Sequence, residues 1–188
     1  METNHVCCFT GYRPNKFPFP FKKESLEYVS FENKLVNIVF SLSGEGVDIF
    51  YSGAAIGFDI VAAETVLLLK KHFQNVKLIC VVPFRSQAEK WPIEWKKRYE
   101  NILREADEVV LISEEYRRDC YRQRNEYMVD NSSKVVTFYD GRSGGTCNTL
   151  VYAKKKGLSI INIAEESSCE HDCEESIQYM FGENLFRS

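Results

Sequence analysis

The sequence predicts an α/β fold: a Rossmann-like, doubly wound, mostly parallel sheet of about six strands in a three-layer αβα arrangement. Three observations predict it. Short apolar, β-branched runs alternate with segments of helical period along most of the 188 residues. The run Val76–Pro83 is apolar at nearly every position, as a strand covered on both faces must be. Strict alternation of strands and helices calls for parallel strands with right-handed crossovers, which puts helices on both faces.

The elements follow in order. Val6–Phe9 reads as a strand and Thr10–Pro20 as a loop rich in proline and aromatics. Phe31–Leu42 has Leu35, Ile38, Val39 and Leu42 on one helical face and stops near Gly44 and Gly46. Asp48–Tyr51 is a second strand. Asp59–Phe73 is a helix presenting Ile60, Ala63, Val66 and Leu67 to the sheet. After the strand Val76–Pro83 comes a loop, Phe84–Pro92, and a helix from Ile93 to Ala106. Glu108–Ile112 is a strand, and Arg117–Asn131 a charged helix. Lys134–Tyr139, Cys147–Lys156 and Ser159–Ile163 complete the series as strand, helix and strand. Residues 1–164 thus form one ligand-binding domain. Residues 165–188 form an acidic tail, with room for one short helix near Glu174–Phe181.

Composition narrows the function. No apolar run reaches the roughly 18 residues of a membrane span, and the N-terminus lacks the pattern of a signal peptide. A cytoplasmic protein with no membrane partner is expected. The seven cysteines are odd in number, and Cys7, Cys8, Cys80 and Cys147 lie in or beside apolar segments. This suits reduced thiols better than a disulfide framework. The formal net charge is −3. Seven of the 27 acidic residues but only one of the 24 basic ones lie from residue 165 onward, so the body carries a formal +3. A mildly basic body attracts a phosphorylated small molecule. So weak a bias, next to an acidic tail, argues against nucleic acid as a partner. Cys169, His171 and Cys173 are spaced by two, which is not the usual pattern of a structural zinc site, so no metal is expected.

In doubly wound sheets, ligands sit beyond the C-terminal ends of the strands, so the loops there carry the chemistry. In Thr10-Gly11-Tyr12-Arg13-Pro14, Gly11 permits close backbone approach and Arg13 offers a fork of donors for an anion. In Ser52–Asp59, small residues at Gly53, Ala54, Ala55 and Gly57 lead into a helix whose free amides form an anion site. Asp59 there is a helix cap or a ribose acceptor. In Asp140–Thr146, Gly144, Gly145 and Thr146 form a second anion nest, with Thr146 as cap or phosphate donor. Arg124, four residues before the apolar Met128, points toward the buried side, with Asn125 beside it. Gln87 and Trp91 follow the third strand, Gln87 to read a base edge and Trp91 either to stack on a base or to pack the loop down.

Together these segments resemble the YpsA-like branch of the SLOG superfamily, the Rossmann-like group that also holds DprA-type and LOG-type proteins. The resemblance runs from about Val6 to Ile163. It is carried by Thr10–Pro14, by Ser52–Asp59 with Ala62-Ala63-Glu64, and by Pro83-Phe84 with Gln87 and Trp91. Arg124-Asn125 and Asp140 with Gly144-Gly145-Thr146 complete it.

It implies binding or sensing of a nucleotide, ADP-ribose or NAD-like ligand, with no other cofactor, and homo-oligomers are common among such proteins. It also implies two alternatives. One is N-glycoside or phosphoribosyl hydrolysis of the LOG type, in which a glutamate follows the Gly-Gly-x-Gly-Thr core. Here Cys147, Asn148 and Thr149 follow Thr146, which leaves Glu64 or Asp140 as substitute catalytic acids. The other is single-stranded nucleic-acid binding by analogy with DprA.

Overall fold

The computed structural model describes residues 5–164. The expected acidic-tail helix and the Cys169–Cys173 cluster lie outside them. Six parallel strands form one sheet: β1 (Val6–Thr10), β2 (Ile49–Ser52), β3 (Lys77–Val82), β4 (Glu108–Leu111), β5 (Lys134–Thr137) and β6 (Ser159–Asn162). Their order is β4-β3-β2-β1-β5-β6, so the chain winds outward from β1, then crosses back to its other side. The connections leave β1 and β5 in opposite directions. The crevice between these neighbours is the topological switch point where such sheets bind ligands.

Five α-helices cover the sheet: α1 (Leu26–Gly44), α2 (Phe58–Lys70), α3 (Ile93–Glu105), α4 (Cys120–Asp130) and α5 (Gly145–Lys155). Alternation along β1 shows the two layers. Cys7 and Phe9 join the core formed with α1, α2 and α3 residues such as Leu35, Ile60 and Ile102. Cys8 joins the core with Met128 and Val129 of α4 and Leu150 and Ala153 of α5. Because β1 is central, its whole length is buried, which explains why its sequence is apolar without alternation.

The helix bounds differ from the sequence pattern chiefly at α1, which begins at Leu26 rather than Phe31. The Ser25 hydroxyl accepts the Tyr28 amide at 3.1 Å and caps this earlier start. Apolar periodicity does not see the extra turn, because its first residues face the loop before it. There, Phe17, Phe19 and Phe21 close over Phe31, with ring centroids 5.3, 6.0 and 6.1 Å from it. The aromatics of this loop therefore fill a core rather than line a cleft. Cys7, Cys8, Cys80, Cys120 and Cys147 are free thiols, all buried except the half-buried Cys147. Among the described residues no helix is long and apolar enough to cross a membrane, and no group of three metal-binding side chains converges.

Candidate functional site

The loop after β1 runs between the heads of two helices. On one side, the Phe58 amide at the start of α2 donates to the Tyr12 carbonyl at 3.0 Å. On the other, the Thr146 hydroxyl at the start of α5 donates to the Gly11 carbonyl at 3.1 Å. The turns 53–57 and 144–146 thus flank one shared segment at the switch point.

The α2 head is closed by protein. Gly57, at φ +102°, has no room for a side chain: a Cβ would fall 2.4 Å from the Tyr12 carbonyl oxygen. Gly11 likewise packs on a ring, its Cβ position lying 2.3 Å from Phe58 Cγ. Ser52 fixes the turn between them. Its hydroxyl donates to the Asp59 carbonyl at 2.9 Å and accepts the Ala54 amide at 3.1 Å. This holds Ala54 at φ +46°, the one non-glycine residue with positive φ among the described residues and a conformation that costs about 1 kcal/mol.

Asp59 lies in the first turn of α2, whose cap is Gly57. Its carboxylate accepts from Arg124 Nη1 at 3.1 Å, and both side chains are more than nine-tenths buried. Burial pushes the Asp59 carboxyl above its ordinary value, against the pull of Arg124, the Ala55 amide and Arg13. Arg124 reaches this point from α4 by passing directly over Gly53, where a Cβ would sit 1.1 Å from Nη1. Gly53 is thus the space the guanidinium needs.

The α5 head is open. Gly144 (φ +142°) caps it without a side-chain hydrogen bond, and Thr146 spends its hydroxyl on Gly11 rather than on the helix. Gly145 is exposed, with nothing within 4 Å of its Cβ position. Lys16 Nζ stands 3.0 Å from the Cβ position of Gly144. Arg13 and Lys16 are exposed and have no ion pair among the described residues. Arg142, whose Nη1 donates to the Lys16 carbonyl at 2.9 Å, also pairs with Asp140 at 3.0 Å. Tyr12 fastens the same two loops by donating to Asp140 at 2.5 Å. An uncapped helix head beside these cations is suited to an anion.

Buried polar atoms without partners mark the same end of the sheet. They are Arg124 Nε, both amide atoms of Gln87, and Thr137 Oγ1. Buried polar groups are nearly always bonded, so such orphans call for an explanation. Thr137 had no signal in the sequence, where it reads as one more β-branched strand residue. It pairs in register with Thr10 at the ends of β5 and β1.

The remaining residues are placed elsewhere. Asn125 donates to Thr149 at 2.8 Å and ties α4 to α5. Trp91 packs on Tyr99, with centroids 5.2 Å apart. Glu64 forms a two-pronged pair with Arg98, both contacts at 2.7 Å, on the α2–α3 flank. The two carboxylates considered as catalytic acids, Glu64 and Asp140, are therefore both held by arginines.

Comparison with known proteins places this geometry. The model of the YspA SLOG family (YpsA) matches residues 7–162. The SPbeta prophage-derived protein YoqJ of Bacillus subtilis is 36% identical over 121 residues, covering 58% of this chain and 71% of that protein. YpsA of Bacillus subtilis is 25% identical over 153 residues, covering 80% of this chain and 84% of that one.

Among solved structures, DNA processing protein A of Helicobacter pylori superimposes with a TM-score of 0.59 at 15% identity, covering 95% of this chain and 73% of that one. DprA of Streptococcus pneumoniae does so with 0.56 at 18% identity, covering 93% of this chain and 56% of that one. The Helicobacter structure is described by its single-stranded DNA binding mode. This corrects the expectation that nucleic acid is not a partner: the same fold serves a DNA-binding protein, so a low net charge and an acidic tail give no ground for setting nucleic acid aside.

Proposed function

The chain belongs to the YspA SLOG family, and from that premise we propose that it binds the phosphate of a nucleotide-derived ligand at the head of α5. The open, uncapped start of α5 beside Lys16, Arg13 and Arg142 carries the reading. The contrast with α2 is the reason to choose this head: Tyr12 and the buried Asp59–Arg124 pair already occupy the other one. The orphaned Thr137 Oγ1 and Arg124 Nε supply further polar contacts for a ligand entering the crevice.

Binding without bond cleavage fits the carboxylates best. A hydrolase needs a carboxylate free to activate water or protonate a leaving group, and Glu64 and Asp140 are both engaged. Calorimetry with pyrophosphate, ADP-ribose, NAD and nucleoside monophosphates tests the reading. Heat of binding that Lys16→Ala and Gly145→Val each weaken is expected. Silence across the panel refutes it.

A second reading is favoured by one observation, the likeness of the fold to a protein described by single-stranded DNA binding. In it the α5 head takes a phosphodiester of a single strand. Affinity for oligothymidylate should then fall steeply as salt rises. Weak, salt-insensitive binding ends that reading.

A further inference from the structure

A cluster of three rings lies away from the α5 head, on the loops after β3 and β4. Phe84 contacts Tyr116 at 5.3 Å and Tyr121 at 5.7 Å, and Tyr116 contacts Tyr121 at 6.5 Å, all edge to face. Phe84 is buried, whereas Tyr116 is 62% exposed. A tyrosine braced by two rings yet open to solvent is a flat apolar surface already ordered before anything binds.

The charges around it are mostly spoken for. Arg85 holds Glu114 at 2.8 Å, and Arg122 holds Glu126 at 3.0 Å and Asp119 at 3.9 Å. Arg117 and Arg118 are exposed and have no carboxylate partner among the described residues, and Glu115 is the one carboxylate between residues 114 and 126 without a cation. Tyr121 is in the first turn of α4, and Arg124, the residue lying over Gly53, is one turn further on.

We propose that Tyr116 is a nucleobase platform for the far end of the ligand whose phosphate sits at the α5 head, and that this ligand therefore joins at least two nucleotide units. The inference rests on the phosphate site proposed above. The sheet order supplies the measure. The platform follows β3 and the α5 head follows β5, and β2 and β1 lie between them. Three strand spacings span roughly 14 Å. A mononucleotide carries its base only one sugar away from its phosphate and cannot reach both points. A dinucleotide such as NAD, or a single strand, can. Arg124 lies over Gly53 at the end of β2, beneath the middle of that span. Aromatic stacking of a base is tolerant of sequence and large enough to measure.

The test compares ribose 5-phosphate, AMP, NAD and oligothymidylate on the full chain and on Tyr116→Ala. Because Tyr116 is exposed, the variant folds, which circular dichroism verifies. NAD or oligothymidylate should bind the wild type more tightly than AMP, and the variant should lose at least about fivefold of that affinity. Ribose 5-phosphate should be unaffected, and Tyr116→Phe should retain binding. Loss confined to NAD identifies a dinucleotide; loss confined to oligothymidylate identifies a single strand.

Unchanged affinity for both in Tyr116→Ala overturns the proposal, as does an equal loss for ribose 5-phosphate. In either case the phosphate site stands. If the wild type binds none of the four probes, the phosphate site itself fails and the platform with it.

Discussion

Replacing Arg124 with methionine keeps an apolar stem over Gly53 but removes the only cation bonded to Asp59. The two side chains are 7% and 8% exposed, and their single contact is 3.1 Å long. Removing one partner of a buried pair leaves the other charge in a poor solvent, at a cost of about 3–5 kcal/mol. The contact is one-pronged and Arg124 Nε is already without a partner, so the loss should fall near about 3 kcal/mol.

For a domain of this size, that lowers Tm by roughly 6–12 °C. Burial already raises the Asp59 carboxyl, and Arg124 opposes that rise; in Arg124→Met it rises further. A carboxyl raised on folding penalises the folded state wherever it is ionised, and the penalty disappears once pH falls below its unfolded value. The gap between wild type and variant, measured by urea unfolding, should therefore be widest at neutral pH and above and close toward acid. The double variant Asp59→Asn/Arg124→Met should regain most of the loss. A deficit under about 1 kcal/mol at pH 7, or a double variant as unstable as the two single losses added together, refutes the reasoning.

Three further outcomes follow from the same geometry. Gly57→Ala should destabilise by about 2 kcal/mol or more, since its Cβ meets the Tyr12 carbonyl. Gly145→Ala should change stability by less than about 0.5 kcal/mol while weakening phosphate-ligand binding; thermal melts and calorimetry separate the two, and equal destabilisation counts against the open head. Asp107 accepts from Lys70 at 2.6 Å and from the Leu78 amide at 2.7 Å. Burial pushes its carboxyl up, but these bonds outweigh it and hold it below the usual range. Its contribution is full above the unfolded carboxyl value and is lost as pH falls through the folded one. Asp107→Asn should thus cost about 1 kcal/mol at pH 7 and progressively less in acid, and a penalty that grows toward acid would be inconsistent with this. Cys147 is in the first turn of α5, so maleimide labelling followed by mass at its peptide should slow when a nucleotide ligand is bound. An unchanged rate would place the ligand elsewhere.

The strands and their order of succession were legible because each buried strand needs apolar residues and each crossover a helical period. The loops were legible as sites because their position after the strands is set by topology. Which helix head remains open was not legible. It depends on Tyr12 reaching Phe58 and on Arg124 meeting Asp59 across 65 positions of sequence, contacts that no local pattern encodes. Gly11, Gly53 and Gly57 looked alike as ligand clearances, yet each makes room for a protein group: a phenyl ring, a guanidinium and a carbonyl. Trp91 was legible as important but not as to role, since stacking on a base and packing on Tyr99 call for the same residue.

Gly11 and Tyr12 are gripped from both sides, one carbonyl by α5 and the next by α2. The number of residues in that stretch is therefore set as firmly as the thread count of a nut between two bolts. Adding or deleting one would shift both carbonyls out of register and detach two helices at once. Variation in chain length among related sequences should accumulate instead at 85–90 and 141–143, where the backbone turns in solvent and answers to no second element.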